Sequence, residues 1–149
     1  MKELWVESYR PDTIDGYVFR DENQREQIKG WIDSGSIPHI LLSGSAGLGK
    51  TTIAKILINQ LDVQDTDVMI ANGSKEARKI EWVDKLITFC QTMPFGDFKV
   101  VLIDEADYMN INSVQPALRN LMEDYSHSVR FILTCNYPNK IMPAIHSRC

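Results

Sequence analysis

The stretch GSAGLGKT at residues 44–51 matches the phosphate-loop pattern G-x-x-x-x-G-K-[ST] at every fixed position. Glycines let the backbone approach phosphate oxygens closely, and the helix that follows such a loop adds the partial positive charge of its N-terminus. The lysine would reach the β- and γ-phosphates, and the threonine hydroxyl would bind Mg²⁺. The pattern predicts nucleotide contacts by Gly44, Ser45, Ala46, Gly47, Leu48, Gly49, Lys50, Thr51 and Thr52.

The segments on either side of this loop have the required order. Ile40-Leu41-Leu42 is a short apolar run that predicts a buried strand. Residues 52–61 carry Ile53, Leu57 and Leu61 at helical spacing. This context favours a nucleotide site over the alternative, a glycine-rich turn without a ligand.

Apolar periodicity predicts an alternation of helices and strands along the rest of the chain. Asp21 can cap a first helix that ends at Gly35. In a helix over 76–91, the inward side chains would be Ile80, Val83, Leu86, Ile87 and Cys90. The other predicted elements are strands over 67–71, 99–103 and 129–134 and helices over 113–125 and 140–145. This alternation predicts an α/β fold, with a parallel sheet between two layers of helices.

Composition limits the classes of function. The chain has 149 residues, 44% of them hydrophobic, which suits one globular domain. A net charge of -4 provides no global basic field, so any DNA contact would be a local patch or be shared among several subunits. Cys90, Cys135 and Cys149 lack metal-ligand spacing, which favours free thiols in a reducing compartment. No apolar run approaches about 18 residues, and no signal peptide is recognised, so a cytoplasmic or, in a eukaryote, nuclear protein is expected.

Two acidic residues follow the apolar run at 99–103. Carboxylate oxygens suit Mg²⁺, so Asp104 is the candidate that binds or organises the metal. Side chains alternate along a strand, which leaves Glu105 free to polarise a water aligned with the γ-phosphate. Asn136, after the next predicted strand, could hold that water. The alternatives are a strand that ends in solvent-facing acids and an asparagine that only forms a turn.

The sequence resembles the clamp-loader ATPases of the AAA+ superfamily, namely replication factor C small subunits and the T-even phage clamp-loader ATPase subunit. The resemblance runs from residue 5 to residue 149, and its N-terminal Tyr9-Arg10-Pro11 and C-terminal Ser147-Arg148-Cys149 boxes are specific to clamp loaders within the superfamily. Between them lie the phosphate loop, Asn72-Gly73-Ser74, Asp104-Glu105-Ala106-Asp107 and Thr134-Cys135-Asn136. The Asn-Gly-Ser box and the short chain favour the phage type.

The resemblance implies roles in nucleotide chemistry for residues outside the phosphate loop. Arg148 would act in trans, as an arginine finger on the ATP of a neighbouring subunit. Lys79 would hold Glu105 in an inactive position until DNA enters. The adenine pocket would be lined by Tyr9, Arg10, Pro11 and Val18.

The resemblance also implies contacts with partners, each with a structural alternative. Lys75, Arg78 and Lys79 would touch DNA phosphates or form a solvated helix face. Gln115 and Arg119 would couple adjacent subunits or belong to the polar outer face of a helix. The residues that would dock on the sliding clamp, or else pack in the core, are Met93, Pro94, Phe95 and Phe98.

Residues 1–149 are interpreted as one AAA+ core domain, with an adenine-pocket segment over 1–20. In the family, a fifth strand beside the first, a helical lid and a collar follow the Ser-Arg-Cys box. Their absence predicts a fragment of a longer protein, with an unpaired sheet edge at its first strand.

The function expected from the resemblance is that of a DNA-dependent ATPase subunit of a replication clamp loader, which uses ATP and Mg²⁺. Its expected partners are a sliding clamp, primer–template DNA and the other subunits of a ring, a pentamer in the full protein. One alternative is a nucleotide-binding assembly fragment without turnover. Another is a different AAA+ DNA motor, such as a helicase loader or Holliday-junction motor. A helicase of the Asp-Glu-Ala-Asp class is disfavoured, because Thr134-Cys135-Asn136 stands where that class has Ser-Ala-Thr.

Overall fold

A computed structural model describes residues 22–44 and 49–149 of the chain. Helices and strands alternate as predicted, which confirms the α/β class. The helices are α1 (Glu22–Ser34), α2 (Lys50–Gln60), α3 (Glu81–Gln91), α4 (Val114–Asp124) and the short α5 (Pro143–His146). The strands are β1 (Ile40–Ser43), β2 (Val68–Asn72), β3 (Lys99–Asp104) and β4 (Val129–Cys135).

The four strands form one parallel sheet in the order β1-β4-β3-β2. Among the described residues, β1 and β2 are therefore its outer strands. The first five residues of β3 are buried, as expected for a central strand covered on both faces. Because all strands run in the same direction, their carboxyl ends meet at one edge, where ligands bind in such sheets.

Helices cover both faces of the sheet, which confirms the three-layer arrangement. On one face, Leu86 of α3 and Leu118 of α4 pack with Phe131 of β4. On the other, Ile28 of α1 and Leu57 of α2 belong to a second buried cluster. In the described residues, no helix is long and apolar enough to cross a membrane.

The predicted helix over 76–91 is interrupted, and this corrects the sequence interpretation. A 3₁₀ turn occupies Glu76–Arg78, Lys79 is extended, and α3 begins only at Glu81. The observed helix therefore does not include Ile80, which was predicted to point inward but is 45% exposed. Trp82 is buried in its place.

The last helix also differs from the sequence prediction, whereas the end of the first helix agrees with it. The last helix was expected over 140–145, but a 3₁₀ turn covers Pro138–Lys140 and α5 starts at Pro143. The extended backbone of Ile141 and Met142 separates the two. The first helix ends at Gly35 as predicted, since Gly35 takes a φ of 73° that favours glycine. Its expected cap, Asp21, lies outside the described residues.

Candidate active site

The carboxyl edge of the sheet brings together side chains that are distant in sequence. Lys50 and Thr51 come from the start of α2, and Asp104 ends β3. Glu105 and Asn136 are the residues that follow β3 and β4. These residues were expected to lie together, because the carboxyl ends of parallel strands meet at one edge of the sheet.

Lys50 is held between the loop and the end of β4. Its Nζ donates to the Gly44 carbonyl oxygen at 2.8 Å and to Asn136 Oδ1 at 3.0 Å. Gly49, directly before α2, has a φ of 74°, a conformation that residues with a Cβ rarely adopt. The predicted contacts Ser45, Ala46, Gly47 and Leu48 lie outside the described residues, as do Tyr9, Arg10, Pro11 and Val18.

Asp104 is the centre of a cluster of oxygen atoms. Its Oδ1 accepts hydrogen bonds from the hydroxyls of Thr51, at 2.8 Å, and Thr134, at 2.9 Å. Hydroxyl and carboxylate oxygens are the ligands that magnesium prefers. The chemistry of this donor set therefore fits the metal expected from the sequence.

The backbone of Glu105 is in the left-handed region, with φ 52° and ψ 45°. Its Oε2 lies 2.7 Å from the hydroxyl of Ser74, which is also 2.6 Å from Asn72 Oδ1. One hydroxyl proton serves these two acceptors, so Ser74 can donate to only one of them at a time. The predicted partner of Glu105, Lys79, is exposed, and no ion pair joins the two within the described ranges. The contact with Ser74 was not foreseen.

Gly73 allows the backbones of β2 and β3 to approach each other beside Glu105. Its N–H donates to the Asp104 carbonyl oxygen at 2.7 Å. A Cβ on Gly73 would lie 2.3 Å from the Glu105 carbonyl oxygen, which is far inside van der Waals contact. The glycine of the Asn-Gly-Ser box is thus required by the position of Glu105.

Asp107 ties the turn after β3 to the segment after β4. Its Oδ2 accepts hydrogen bonds from the backbone N–H groups of Asn136, at 3.3 Å, and Tyr137, at 3.0 Å. The carboxyl group is buried, and its Oδ1 has no hydrogen-bond partner among the described residues. Burial, together with the charge of Asp107, raises the pKa of Cys135 to about 11, so this residue remains a neutral thiol. The sequence analysis assigned no role to Asp107, so this positioning contact was not predicted.

Gln115 is buried in the protein interior, so the alternative that it belongs to a polar outer face of the helix is wrong. It is completely buried in α4, and its Nε2 donates to the carbonyl oxygens of Met109, at 3.1 Å, and Lys140, at 3.0 Å. Its Oε1 accepts from the Met142 N–H at 2.8 Å. Gln115 therefore links the segment after β3 to the start of α5. Arg119 is partly exposed and donates to Asn120 Oδ1 at 3.1 Å.

Arg148 follows α5, and its side chain bonds to the two last helices and to the neighbouring Ser147. Its guanidinium donates to Glu123 Oε2 at 2.8 Å and to the Ala144 carbonyl oxygen at 3.3 Å. This contact lowers the pKa of Glu123, which is otherwise solvent-exposed. About a quarter of the Arg148 side chain, 26%, is exposed.

The residues predicted to meet partners lie mostly on the surface. Lys75, Arg78 and Lys79 are exposed beside the 3₁₀ turn that precedes α3. Met93 and Phe95 are exposed after α3, but Phe98 is only 7% exposed and packs in the core. Phe98 therefore does not belong to the clamp-contact group. Its ring is covered by the guanidinium group of Arg130.

Residues 40–149 match the ATPase family associated with various cellular activities (AAA). Among curated relatives, the replication factor C small subunit of Methanococcus vannielii is 42% identical over 154 residues, covering 100% of this chain and 48% of the relative. That of Archaeoglobus fulgidus is 42% identical over 151 residues, with 99% and 47% covered. The resemblance stated from the sequence is confirmed. The chain spans about half the length of these relatives. They are archaeal, and the phage type stays a prediction.

Solved structures support the fold. The RuvB Holliday junction branch migration motor of Thermotoga maritima has a TM-score of 0.75 at 22% identity, covering 94% of this chain and 46% of the motor. A DNA polymerase III gamma subunit-related protein from the same organism has a TM-score of 0.69 at 18% identity, with 83% and 43% covered. At these identities the likeness concerns the fold alone.

Proposed function

Because the chain belongs to the ATPase family associated with various cellular activities, we propose that it is the ATPase core of a DNA-dependent clamp-loader subunit. The observation that carries this proposal is the arrangement at the carboxyl edge of the sheet. There, Lys50 lies 3.0 Å from Asn136, and Thr51 lies 2.8 Å from Asp104. The names of the relatives, replication factor C small subunits, supply the clamp-loader context.

The chemistry proposed is an attack of water on the γ-phosphate of ATP. Lys50 binds the phosphates, exchanging its present acceptors for phosphate oxygens. Glu105 takes the proton of the water as the new P–O bond forms, and ADP leaves with the electrons of the broken bond. Asn136 orients the water from the end of β4. Asp107 keeps Asn136 in place through its backbone bond at 3.3 Å.

Thr51 and Asp104 are the residues that would hold magnesium. A bound magnesium ion would neutralise negative charge on the phosphate oxygens. Thr134, which donates to Asp104 at 2.9 Å, would keep that carboxylate oriented. Ser74 competes with water for Glu105, so its contact at 2.7 Å must open or be shared before the glutamate accepts a proton.

We propose that Arg148 completes the site of a neighbouring subunit. Among the described residues, the hydrogen bonds of its side chain go to α4, to α5 and to Ser147, and none goes to the phosphate-site residues of its own chain. The proposed coupling of adjacent subunits by Gln115 and Arg119 would act through the buried hydrogen bonds of Gln115, which connect the segment after β3 to the start of α5. Exposed Lys75, Arg78 and Lys79 would meet DNA phosphates, and Met93, Pro94 and Phe95 would contact the sliding clamp.

A nucleotide-binding fragment without turnover is the less favoured alternative. The chain retains the lysine, both carboxylates and the asparagine, and it brings them to one edge. The fold likeness to a Holliday junction motor favours no second function, because it concerns architecture alone.

The decisive experiment measures ATP turnover by this chain, assembled with its partner subunits, with and without primed DNA and sliding clamp. We expect both additions together to raise turnover, because they would place Glu105 and Arg148 for reaction. A Lys50→Ala variant should bind ATP poorly and show no stimulation. Tight ATP binding by the wild type without turnover under any condition would leave only the nucleotide-binding alternative.

Substituting Gly73 should disturb this chemistry without removing any catalytic group. In Gly73→Ala, the new methyl group must push the Glu105 carbonyl away, and a displacement of about 1 Å can lower turnover about 100-fold. Turnover at saturating ATP is the measurement. Gly30→Ala is a matched control, because a Cβ on Gly30 meets nothing within 4 Å. Unchanged turnover in Gly73→Ala would contradict the requirement for glycine.

A further inference from the structure

The turn between α3 and β3 exposes an apolar tip, which we define as Met93, Pro94 and Phe95. The side chain of Met93 is 85% exposed and that of Phe95 is 79% exposed. Two large apolar side chains so close together and so exposed are unfavourable in water. A turn of this kind would lower its free energy by folding them back onto the protein, unless its backbone is held.

One side of the tip is held by a buried carboxylate. Asp67, at the end of the 3₁₀ turn before β2, is 1% exposed. Its Oδ1 accepts the N–H of Phe95 at 2.9 Å, and its Oδ2 accepts the N–H of Gly96 at 2.8 Å. Both oxygens are thus used on consecutive peptide groups, which fixes the backbone directly below the Phe95 side chain.

The other side of the tip is held by a buried ammonium group. Lys99, the first residue of β3, is 3% exposed. Its Nζ donates to the Phe89 carbonyl oxygen at 2.7 Å and to the Thr92 hydroxyl, and it lies 4.4 Å from the centre of the Phe89 ring. Lys99 thereby satisfies a carbonyl group at the end of α3 and holds the residue that precedes Met93.

The two charged residues lie at the same end of neighbouring strands. Asp67 precedes Val68 and Lys99 precedes Val100, and Val68 and Val100 are paired in the sheet. Burying a charged side chain is unfavourable unless its hydrogen bonds are made. Here Asp67 makes its hydrogen bonds to the backbone at the end of the tip, and Lys99 makes its hydrogen bonds to residues that precede the tip. The arrangement therefore fixes a segment whose two large apolar side chains, those of Met93 and Phe95, are exposed.

We propose that Asp67 and Lys99 are positioning residues that preorganise the apolar tip for an apolar pocket on the sliding clamp. The inference rests on the clamp contact proposed above and adds how the contact surface is held. An ordered tip loses less conformational entropy on binding than a mobile one, so preorganisation strengthens binding without adding a contact. Neither residue would touch the clamp in this arrangement.

Asp67→Asn tests the inference. The amide places an NH2 donor where one of the two backbone N–H groups now has an acceptor oxygen, so in this arrangement one of the bonds to Phe95 and Gly96 is lost. We expect faster hydrogen exchange at these two amides and about tenfold weaker binding of the purified sliding clamp, measured by fluorescence anisotropy. In clamp-stimulated ATP turnover, the clamp concentration at half-stimulation should rise while the rate at saturating clamp stays unchanged.

Matched variants separate this effect from general loss of structure. Asp65→Asn changes an exposed residue of the same 3₁₀ turn and should alter nothing. Should Asp67→Asn fail to fold, Thr92→Val removes an exposed acceptor of Lys99 and should loosen the tip to a smaller extent. Thermal unfolding of each variant identifies any loss of global stability.

Phe95→Ala distinguishes a failure of the clamp contact from a failure of the positioning role of Asp67. If Phe95→Ala leaves clamp binding unchanged, the clamp contact itself is wrong, and the preorganisation inference fails with it. If Phe95→Ala weakens binding while Asp67→Asn leaves it unchanged, the contact stands and the positioning role of Asp67 is overturned. Weakening by both, with faster exchange only in Asp67→Asn, supports the inference.

Discussion

Glu105→Gln is expected to lower ATP turnover by about 10²–10⁴-fold while ATP binding stays unchanged. Glutamine has nearly the same size and retains a carbonyl oxygen that can accept the Ser74 hydroxyl, now 2.7 Å from Glu105 Oε2. It cannot accept the proton that the attacking water must lose. The loss should therefore appear in the rate of a single turnover at saturating ATP.

Glu81→Gln provides a matched control for this substitution. Glu81 is an exposed residue in the first turn of α3, so losing its charge should leave turnover within a few-fold of the wild type. ATP affinity is measured separately, with a fluorescent ATP analogue. If Glu105→Gln retained turnover within threefold of the wild type, Glu105 would not be the base.

The candidate site was predictable because its parts follow from two general rules. A phosphate loop must lie between a strand and a helix, and the carboxyl ends of parallel strands meet at one edge. Lys50, Asp104 and Asn136 could therefore be expected together although 86 positions separate the first from the last. Apolar runs were sufficient to locate β3 and β4 within a residue or two.

The positioning contacts were not predictable, because they join residues that no short pattern relates. His39 is an example: its Nδ1 accepts the N–H of Phe131 at 3.1 Å, so its Nε2 donates to the Met122 carbonyl oxygen at 2.9 Å. Burial lowers the pKa of His39, which keeps the ring neutral. Asp67 likewise reaches across 28 positions to Phe95. From the sequence alone, a charged residue beside a turn is expected to be exposed to solvent, and only the tertiary fold shows that Asp67 is buried.

Local backbone conformation accounts for the remaining differences. Lys79 is extended and α3 begins only at Glu81, five residues later than predicted, so its first buried side chain is Trp82 instead of Ile80. Phe98 was grouped with Met93 and Phe95 because the family resemblance implied a clamp contact for all three, yet it lies directly before β3 and points into the core. In both cases the side chain was correctly recognised as apolar. Whether it faces the core or solvent depends on where the helix or strand begins.

Arg148→Ala is expected to lower the turnover of the assembled clamp loader by about 10³–10⁵-fold, the range seen when an arginine finger is removed. The loss should occur at the neighbouring subunit, because within the described residues the side-chain hydrogen bonds of Arg148 go to α4, α5 and Ser147 and none goes to the phosphate site. Co-assembly of the two variant subunits tests whether Arg148 acts on the site of its neighbour. Neither Lys50→Ala nor Arg148→Ala subunits are expected to be active alone, but a co-assembled pair would place an intact Lys50 beside an intact Arg148 at their shared boundary.

Co-assembly should therefore restore part of the turnover if Arg148 acts in trans, whereas no restoration would mean that it acts within its own chain. The contribution of its ion pair is separated by Glu123→Gln, which removes the 2.8 Å contact but keeps the arginine. Because 60% of the Glu123 side chain is exposed, this pair contributes little to stability, and turnover should change by no more than a few-fold. An equally large loss in Glu123→Gln would instead indicate that the pair itself is needed to position Arg148.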